Sequence, residues 1–455
     1  MVFVSCSNTK IQSQNNSYAI NSDLREQDSL TIWAEQGFGL EEGKAIAQLV
    51  REWEQVSGVK TTLQLRPSPL DDQIETAIQT GNPPDVAFIR SGGLGIVPQL
   101  AWEGRLADLT DVIESLEYSF SPSALATVNY QNNITGKRSY YALPNGIKTF
   151  NLHYWQTYLE PLRLQQKDIP QDWQNFWQFW QEVRERRREL GYEDIPNFCL
   201  TLSNATDGQL LILHFLHGNN VQIFDENGNL VLDRPQNRQG TIDALTQISN
   251  LYQNGSILPE AIAWRGPDNN FQFLDKQCLL VANNSFSIPA LQKLPDNPYN
   301  QAAKNRYLNE IVTLPNWPNK LDGKPFQMTL AIRATVIPAN ASNIKDAKQF
   351  MTYFFQPENL KLWIEKHKGR AIPPIPELLN TPFWQDAEDP HISALRAIYL
   401  GPTQPLPSVI SPAYNEVVKE KIWAEALASI IQDGISPEEA ADRAIARIQK
   451  ITAQY

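Results

Sequence analysis

The sequence predicts an α/β fold in which strands and helices alternate and the sheets are mainly parallel. Residues 30–89 alternate between strand-like runs and amphipathic stretches, which is the pattern of a β-α-β-α-β unit. Such a unit implies parallel strands joined by right-handed crossovers. The last apolar run, 85–89, ends in the glycine-rich loop 90–95. The chain of 455 residues is long enough for two or three domains.

Each element of this opening unit has its own sequence signal. The first helix has apolar residues at three- and four-residue spacing, and Gly58 ends it. The second helix ends at Gly81, because the two prolines that follow prevent its continuation. The predicted elements are a strand at 30–34, a helix at 41–55, a strand at 59–65, a helix at 71–80 and a strand at 85–89.

Three later segments also carry recognisable patterns. Residues 147–155 are predicted to form one more strand. Asp172 is placed to cap a helix over 172–190, in which Trp and Phe residues at helical spacing predict a stripe facing the core. In the last helix, Ser436 is predicted as the N-cap and Glu439 as the residue that completes a capping box.

The loop 90–95 is the first candidate for a ligand site. It follows a buried strand, and its glycines leave the backbone exposed. Open α/β sheets bind their ligands at the carboxyl ends of the strands. We therefore expect the loops after the first and third predicted strands to face a ligand.

The composition argues against two functional classes. The net charge of −11 disfavours general nucleic-acid binding. No stretch of the sequence approaches the roughly 20 apolar residues that a membrane-spanning helix needs. A transmembrane helix is therefore not predicted.

Motifs for cofactors, metals and hydrolytic catalysis are weak. The glycine spacing in 37–43 does not fit a dinucleotide-binding fingerprint, and two glutamates stand where a phosphate would bind. We interpret these glutamates as residues that stabilise a helix start. His214 and His217 have no further metal ligand nearby in sequence, so a structural role is expected. Neither G-x-S-x-G nor H-E-x-x-H occurs, and we predict no cofactor and no metal.

The three cysteines are of two kinds. Cys199 and Cys278 lie in apolar, strand-like runs and are predicted to be buried thiols; a disulfide between them stays open, unsupported by their spacing. Cys6 ends the word Phe-Val-Ser-Cys, which is similar to the acylation site of a bacterial lipoprotein signal, and the polar residues 7–28 suit a flexible tether. Because five residues precede Cys6, either the true start lies upstream or the similarity is fortuitous.

A series of short sequence words resembles one protein family. The words lie at 81–88, 104–110, 143–154, 169–173, 218–233, 251–255, 347–358 and 436–440. In this order they resemble the extracellular solute-binding proteins of ABC transporters, in the carbohydrate-binding group that includes maltose-binding protein. The resemblance extends from Leu30 to the C-terminus, with departures at 274–276 and 328–331, where the family often has glycines.

The resemblance implies a two-lobed periplasmic binding protein fold. Each lobe would be a mainly parallel sheet flanked by helices, with the ligand cleft between the lobes. The implied division is a signal remnant and tether at 1–29, an N-terminal lobe at 30–145 and 331–370, and a C-terminal lobe at 146–330 and 371–455. Ligand contacts from both lobes exist only when the cleft is shut, so ligand would favour the closed state.

By the same resemblance, the protein is expected to be the substrate-binding subunit of an ABC importer and to have no enzymatic activity of its own. It would capture a sugar, oligosaccharide or glycosidic solute and deliver it to the permease subunits. It is expected as a monomer in the periplasm or at the outer face of the cytoplasmic membrane, with a lipid anchor at Cys6. The alternatives are a binding protein for a sugar phosphate, polyol or other polar solute, a carbohydrate-active enzyme, and a module that presents ligand to a membrane receptor.

The resemblance also assigns candidate ligand contacts by position. Carboxylates and amides bond sugar hydroxyls, and aromatic faces cover the apolar side of a sugar ring. Arg90 and Lys148 leave open a ligand with a carboxylate, sulfate or phosphate, whereas their pairing with acidic groups favours a neutral ligand. The candidates are Glu35, Gln36, Phe38, Arg90, Ser91, Lys148, Asp207, Gly208, Trp264, Asn284, Phe286 and Tyr414.

Overall fold

The structure is a computed structural model that describes residues 29–37, 39–284, 286–293 and 301–455. The predictions for Cys6, for Phe38 and for the tether before Ser29 lie outside the described residues. The strands are β1 (Leu30–Glu35), β2 (Thr61–Arg66), β3 (Val86–Ile89), β4 (Asn129–Asn132), β5 (Lys137–Tyr140), β6 (Leu143–Lys148), β7 (Phe150–Trp155), β8 (Phe198–Cys199), β9 (Leu280–Asn284), β10 (Ile311–Thr313), β11 (Met328–Val336) and β12 (Thr403–Pro405).

Helices cover the sheets and connect most of the strands. The α-helices are α1 (Leu40–Ser57), α2 (Asp71–Gln79), α3 (Val97–Trp102), α4 (Thr110–Glu114), α5 (Pro122–Ala126), α6 (Gln156–Leu159), α7 (Trp173–Glu189), α8 (Thr206–Gly218), α9 (Pro235–Gln253), α10 (Asp268–Leu274), α11 (Ser287–Gln292), α12 (Gln301–Asn305), α13 (Ile344–Phe354), α14 (Pro357–Lys366), α15 (Pro382–Gln385), α16 (Pro390–Leu400), α17 (Pro407–Ile410), α18 (Ala413–Lys419), α19 (Ile422–Gln432) and α20 (Pro437–Thr452).

The first large sheet is built on the predicted opening unit. β1 lies between β2 and β3 and is parallel to both, so the β-α-β-α-β prediction is confirmed. β11 continues this sheet and pairs antiparallel with β3 and β6 and parallel with β12. The carboxyl ends of β1 and β3 therefore lie side by side at one edge of the sheet.

The second large sheet is mixed. Its order is β10-β7-β9-β8, in which β7 is antiparallel to both of its neighbours and β8 is parallel to β9. α8 packs against β9, α16 against β10, and the C-terminal helices α19 and α20 pack on α9. The last quarter of the chain thus contributes several helices to this half of the molecule, although β12 joins the first sheet.

The single strand predicted over 147–155 is wrong: the segment contains the end of β6 and all of β7, which belong to different sheets. Thr149 lies between them, and its hydroxyl donates to the Asn151 side chain at 2.9 Å, while the Asn151 amide donates back to the Thr149 carbonyl at 3.1 Å. Both strands are buried, and the mixture of apolar and polar residues over 147–155 gave no sign of the switch.

The predicted aromatic stripe and helix caps are found at their expected positions. Trp173, Trp177 and Trp180 of α7 are buried in the core. Asp172 accepts the cap bond from the Asn175 N–H at 3.0 Å. Ser436 likewise caps α20, but the Glu439 carboxylate pairs with Arg443, so the reciprocal half of the predicted capping box does not form.

The prediction that Cys199 and Cys278 are buried thiols is wrong, because they form a disulfide. Cys199 ends β8, and Cys278 lies just before β9, which pairs with β8. The sheet brings the two Cα atoms to 5.7 Å across a sequence separation of 79 residues. That proximity depends on strand pairing, which spacing along the chain does not reveal.

No helix in the described part of the chain is long and apolar enough to span a bilayer.

Candidate functional site

The first side of the candidate site lies at the ends of β1, β3 and β6. Glu35 ends β1, and its Oε2 accepts a 2.8 Å hydrogen bond from the backbone N–H of Arg90, which follows β3. The Nζ of Lys148, the last residue of β6, donates to the Arg90 carbonyl at 2.9 Å. These three predicted residues are therefore brought together, although more than fifty residues separate each from the next.

Two further candidates, Gln36 and Ser91, lie beside this group. Gln36 is exposed, and its carbonyl accepts from the Arg90 guanidinium at 3.1 Å. Ser91 turns its hydroxyl toward Asp71, to which it donates at 2.6 Å. The Ser68 hydroxyl donates to Glu35. Glu35 is thus held from two sides, by one backbone and one side-chain donor.

Lys148 is an unusual group for this position, because it is buried and has no carboxylate within ion-pair distance among the described residues. Burial lowers the pKa of Lys148 to about 7, and the nearby Arg333 and Arg90 act in the same direction. Glu35 and Asp207 oppose this shift. The ammonium group therefore lies within electrostatic reach of carboxylates from both halves of the molecule.

Asp207 and Gly208 form the second side of the site, in the first turn of α8. Burial raises the pKa of Asp207 to about 6, against the opposing effect of hydrogen bonds from Asn269 and Asn284. Gly208 has no room for a side chain, because a Cβ there would lie 2.0 Å from the carbonyl oxygen of Ser203. The tight contact fixes the start of α8, and with it the Asp207 carboxylate.

The remaining described candidates are mostly packed in the interior. Phe286 is buried beside His153, with ring centroids 6.0 Å apart. Tyr414 is buried, and its hydroxyl accepts from the indole N–H of Trp423 at 3.1 Å. Trp264 is buried in a loop, where its carbonyl accepts from Ser203. Asn284 is the exception: it ends β9 half-buried, and its Oδ1 has no hydrogen-bond partner among the described residues.

A buried charge cluster that the sequence patterns did not predict lies within electrostatic reach of the site. Glu42, interpreted as a helix-start residue, is buried and lies 2.6 Å from an Arg370 nitrogen, 3.3 Å from His367 and 3.6 Å from Arg333. Burial opposes ionisation of Glu42, but these neighbours hold its pKa well below its usual range. A usable signal was Arg333, a cation in the middle of the fully buried strand β11.

The described residues contain no group of three or more His, Cys, Asp or Glu side chains arranged to hold a metal ion. His214 is buried, and its Nδ1 lies 2.7 Å from the Leu210 carbonyl, in keeping with a structural role.

A family match decides the class of the protein. Residues 48–394 match the family described as bacterial extracellular solute-binding protein. The chain belongs to this family. The predicted membership of the extracellular solute-binding proteins is therefore confirmed. The proteins of this family and the structural neighbours are binding proteins. No curated protein matches the chain.

Solved structures show the fold of this solute-binding protein. An ABC transporter solute-binding protein from Thermotoga lettingae, bound with α-D-tagatose, has a TM-score of 0.73 and 20% identity and covers 93% of this chain and 100% of its own. Maltose-bound MalE3 of T. maritima has a TM-score of 0.72 and 16% identity, covering 93% and 100%. A putative oligosaccharide periplasmic-binding protein from Synechococcus sp. MITs9220 has a TM-score of 0.71 and 15% identity, covering 94% and 99%. The predicted two-lobed α/β fold is confirmed.

Proposed function

We propose that this protein is the substrate-binding subunit of an ABC importer for a sugar, oligosaccharide or glycosidic solute. The observation that carries the proposal is that Lys148, at the end of a strand of the first sheet, interacts electrostatically with Glu35 of the same sheet and with Asp207, from the helix that packs on the second sheet. A site with polar groups from both halves binds ligand only when the halves are together, which couples binding to closure.

The two sheets support the division into lobes given above. The first lobe would comprise 30–145 and 331–370, and the second 146–330 and 371–455. Packing of α19 and α20 on α9 supports the assignment of the C-terminal helices to the second lobe. β6 and β11 would be crossing segments, since each starts or ends beside a proposed boundary.

The ligands of the structural neighbours support a sugar as the substrate class. The Thermotoga lettingae protein holds α-D-tagatose and MalE3 holds maltose. Glu35, Asp207 and Asn284 would supply acceptors for sugar hydroxyls, and Lys148 a donor. Gln36, Arg90, Ser91 and Gly208 would shape the site around them. The buried Trp264, Phe286 and Tyr414 would reach ligand only after a local rearrangement, and Phe38 remains a proposed stacking residue.

A thermal-shift screen tests the proposal. The full chain is screened against monosaccharides, disaccharides, maltodextrins and polyols. Circular dichroism checks that the protein is folded. A ligand at a hundred times its dissociation constant adds about 2.7 kcal/mol to the free energy of unfolding, which is a readily visible shift. Stabilisation by a sugar supports the proposal; folded protein that no sugar stabilises contradicts it.

A second candidate substrate is an anionic sugar, such as a sugar phosphate or a uronic acid. Lys148 favours it, because its ammonium group has no carboxylate partner at ion-pair distance among the described residues. The same screen includes glucose 1-phosphate and galacturonate. Selective stabilisation by these ligands, without effect of neutral sugars, would favour the anionic class.

The absence of catalysis and the mode of anchoring are further parts of the proposal. A binding protein returns its ligand unchanged, so incubation with oligosaccharides is expected to release no reducing ends. Acylation of Cys6 would hold the protein at the outer face of the cytoplasmic membrane, and mass spectrometry of the natively expressed protein tests it. We further propose a monomer that delivers ligand to a membrane permease.

A further inference from the structure

Asp207 is held by a buried amide network that acts on only one of its oxygens. Its Oδ2 accepts from the Asn269 side chain at 2.6 Å, from the Asn283 side chain at 3.5 Å and from the backbone N–H of Asn284 at 3.4 Å. No donor among the described residues reaches Oδ1. The two oxygens of Asp207 therefore differ: Oδ2 accepts hydrogen bonds, whereas Oδ1 accepts none from the described residues.

The amide of Asn269 has a fixed orientation. Its Oδ1 accepts from the backbone N–H of Asn270 at 2.9 Å, which assigns the other end of the amide as the donor. Besides Asp207, its Nδ2 donates to the Ala282 carbonyl at 3.0 Å. Asn269 is fully buried, so these bonds tie Asp207 of α8 rigidly to α10 and β9.

A second layer of side chains supports this arrangement. The Asn283 Oδ1 accepts from the N–H of Ser287 at 3.1 Å and from its hydroxyl at 3.0 Å. Its Nδ2 donates to the Asn270 Oδ1 at 2.6 Å, and the Asn270 Nδ2 donates to the Ser287 hydroxyl at 2.8 Å. Buried polar groups with satisfied partners are rigid, because any rotation leaves a group unpaired.

We propose that Asn269 is a positioning residue that orients Asp207 so that its Oδ1 alone faces the ligand. This inference rests on the proposed function and makes it more specific. The N–H donors on Oδ2, one at 2.6 Å and two at 3.4–3.5 Å, fix the carboxylate plane and stabilise the ionised form, which opposes the effect of burial on the Asp207 pKa. Asp207 then acts only as an acceptor, so the part of the ligand that meets it must carry a donor, such as a pair of hydroxyls or an ammonium group. A carboxylate or phosphate would be repelled there.

Titration of Asp207 in the ligand-free full-length protein tests the positioning role. Aspartate labelled with ¹³C at the side-chain carboxyl is followed by NMR from pH 4 to 9, with Asp207→Asn used to assign the resonance. Lys148 lowers the pKa of Asp207 through its charge. This lysine is kept in every variant, so that it affects the Asp207 pKa in all of them. In Asn269→Ala the loss of a donor to the charged form is expected to raise the Asp207 pKa by about one unit.

Asn237→Ala is the matched control. Asn237 is also buried, and its amide likewise joins backbone groups, accepting from the Gln222 N–H and donating to the Val231 carbonyl. Its loss is expected to lower the melting temperature without changing the titration of Asp207. Folded Asn269→Ala in which Asp207 titrates as in the wild type overturns the positioning role.

A binding measurement separates this inference from the proposed function. Maltose is titrated calorimetrically into the wild type and both variants. We expect about ten-fold weaker binding in Asn269→Ala alone, because the acceptor is misaligned. If the wild type and Asn269→Ala bind maltose equally tightly, the inference is overturned and the proposed function stands. If wild type binds neither maltose nor any other sugar, the proposed function fails, while the NMR titration still decides whether Asn269 positions Asp207.

Discussion

Glu42 and Asp207 are both buried carboxylates beside the candidate site, and they are stabilised in opposite ways. Glu42 lies among two arginines and a histidine, which hold its pKa well below the usual range. Asp207 has amide donors on one oxygen and no cation in direct contact, and burial raises its pKa to about 6. The comparison contrasts a buried charge that cations neutralise with a carboxylate that we propose binds ligand, in which amide donors hold one oxygen and no described donor reaches the other.

The largest expected effect comes from removing the charge of Glu42. Glu42→Gln leaves Arg333 and Arg370 buried without their counter-charge, and breaking a buried pair in this way costs about 3–5 kcal/mol. Urea unfolding measures the loss. Glu41→Gln is the matched control, because Glu41 is only partly buried and its ion pair among the described residues is with the exposed Lys44; its effect is expected within about 0.5 kcal/mol. Equal stability of the two variants would contradict a structural role for the cluster.

The second prediction concerns the disulfide between Cys199 and Cys278, in the half of the molecule that contains Asp207. Cys199→Ala with Cys278→Ala is expected to lower the free energy of unfolding by about 4 kcal/mol, because the bond closes a long loop in the unfolded chain. Urea unfolding with and without reductant measures this, the double variant being insensitive to reductant. Asp207 and Asn269 lie in the loop that the disulfide closes, but their hydrogen bonds do not involve Cys199 or Cys278, so Asp207 is expected to titrate near its wild-type pH in the double variant. Unchanged stability would contradict the prediction.

The pH dependence of stability distinguishes the two carboxylates directly. The pKa of Asp207 is raised in the folded state to about 6 from its ordinary value of 3.8, so between these values the folded protein binds more protons than the unfolded chain. Stability is therefore expected to rise as pH falls from 7 to 4, by on the order of 3 kcal/mol relative to Asp207→Asn. Glu42 has the opposite sign, because its pKa is depressed: its contribution is present above the unfolded pKa and is lost only in strong acid. Parallel pH profiles for wild type and Asp207→Asn would contradict the assignment.

The smallest expected effect is on affinity. Asp207→Asn removes a charged acceptor, so binding of a neutral sugar is expected to weaken about ten-fold, as for the loss of a charge-assisted hydrogen bond. Calorimetry with the sugar found by thermal shift measures it, and Asp225→Asn, at a half-buried position in the turn 225–229 of the same half, is the control. Unchanged affinity in Asp207→Asn would contradict its role as a ligand contact.

Several features were predictable because they depend on local sequence. The opening β-α-β-α-β unit, the caps at Asp172 and Ser436 and the aromatic stripe of α7 follow from periodicity and capping chemistry. Glu35 and Arg90 could be placed near each other because both follow neighbouring parallel strands. The Asp207 network was not predictable, since Asn269 and Asn283 come from elements more than sixty residues along the chain.

The sequence by itself determined the opening β-α-β-α-β unit, the fold class and the family, because short-range patterns and ordered sequence words carry that information. Only the tertiary structure decided that 147–155 changes sheets at Thr149, that Cys199 meets Cys278, and that Glu42 is neutralised while Asp207 is left with a free oxygen. These outcomes depend on which distant groups share a buried volume, where burial and neighbouring charges set the state of each side chain. Residue type alone does not carry that information, since both carboxylates begin as acidic residues in the first turn of a helix.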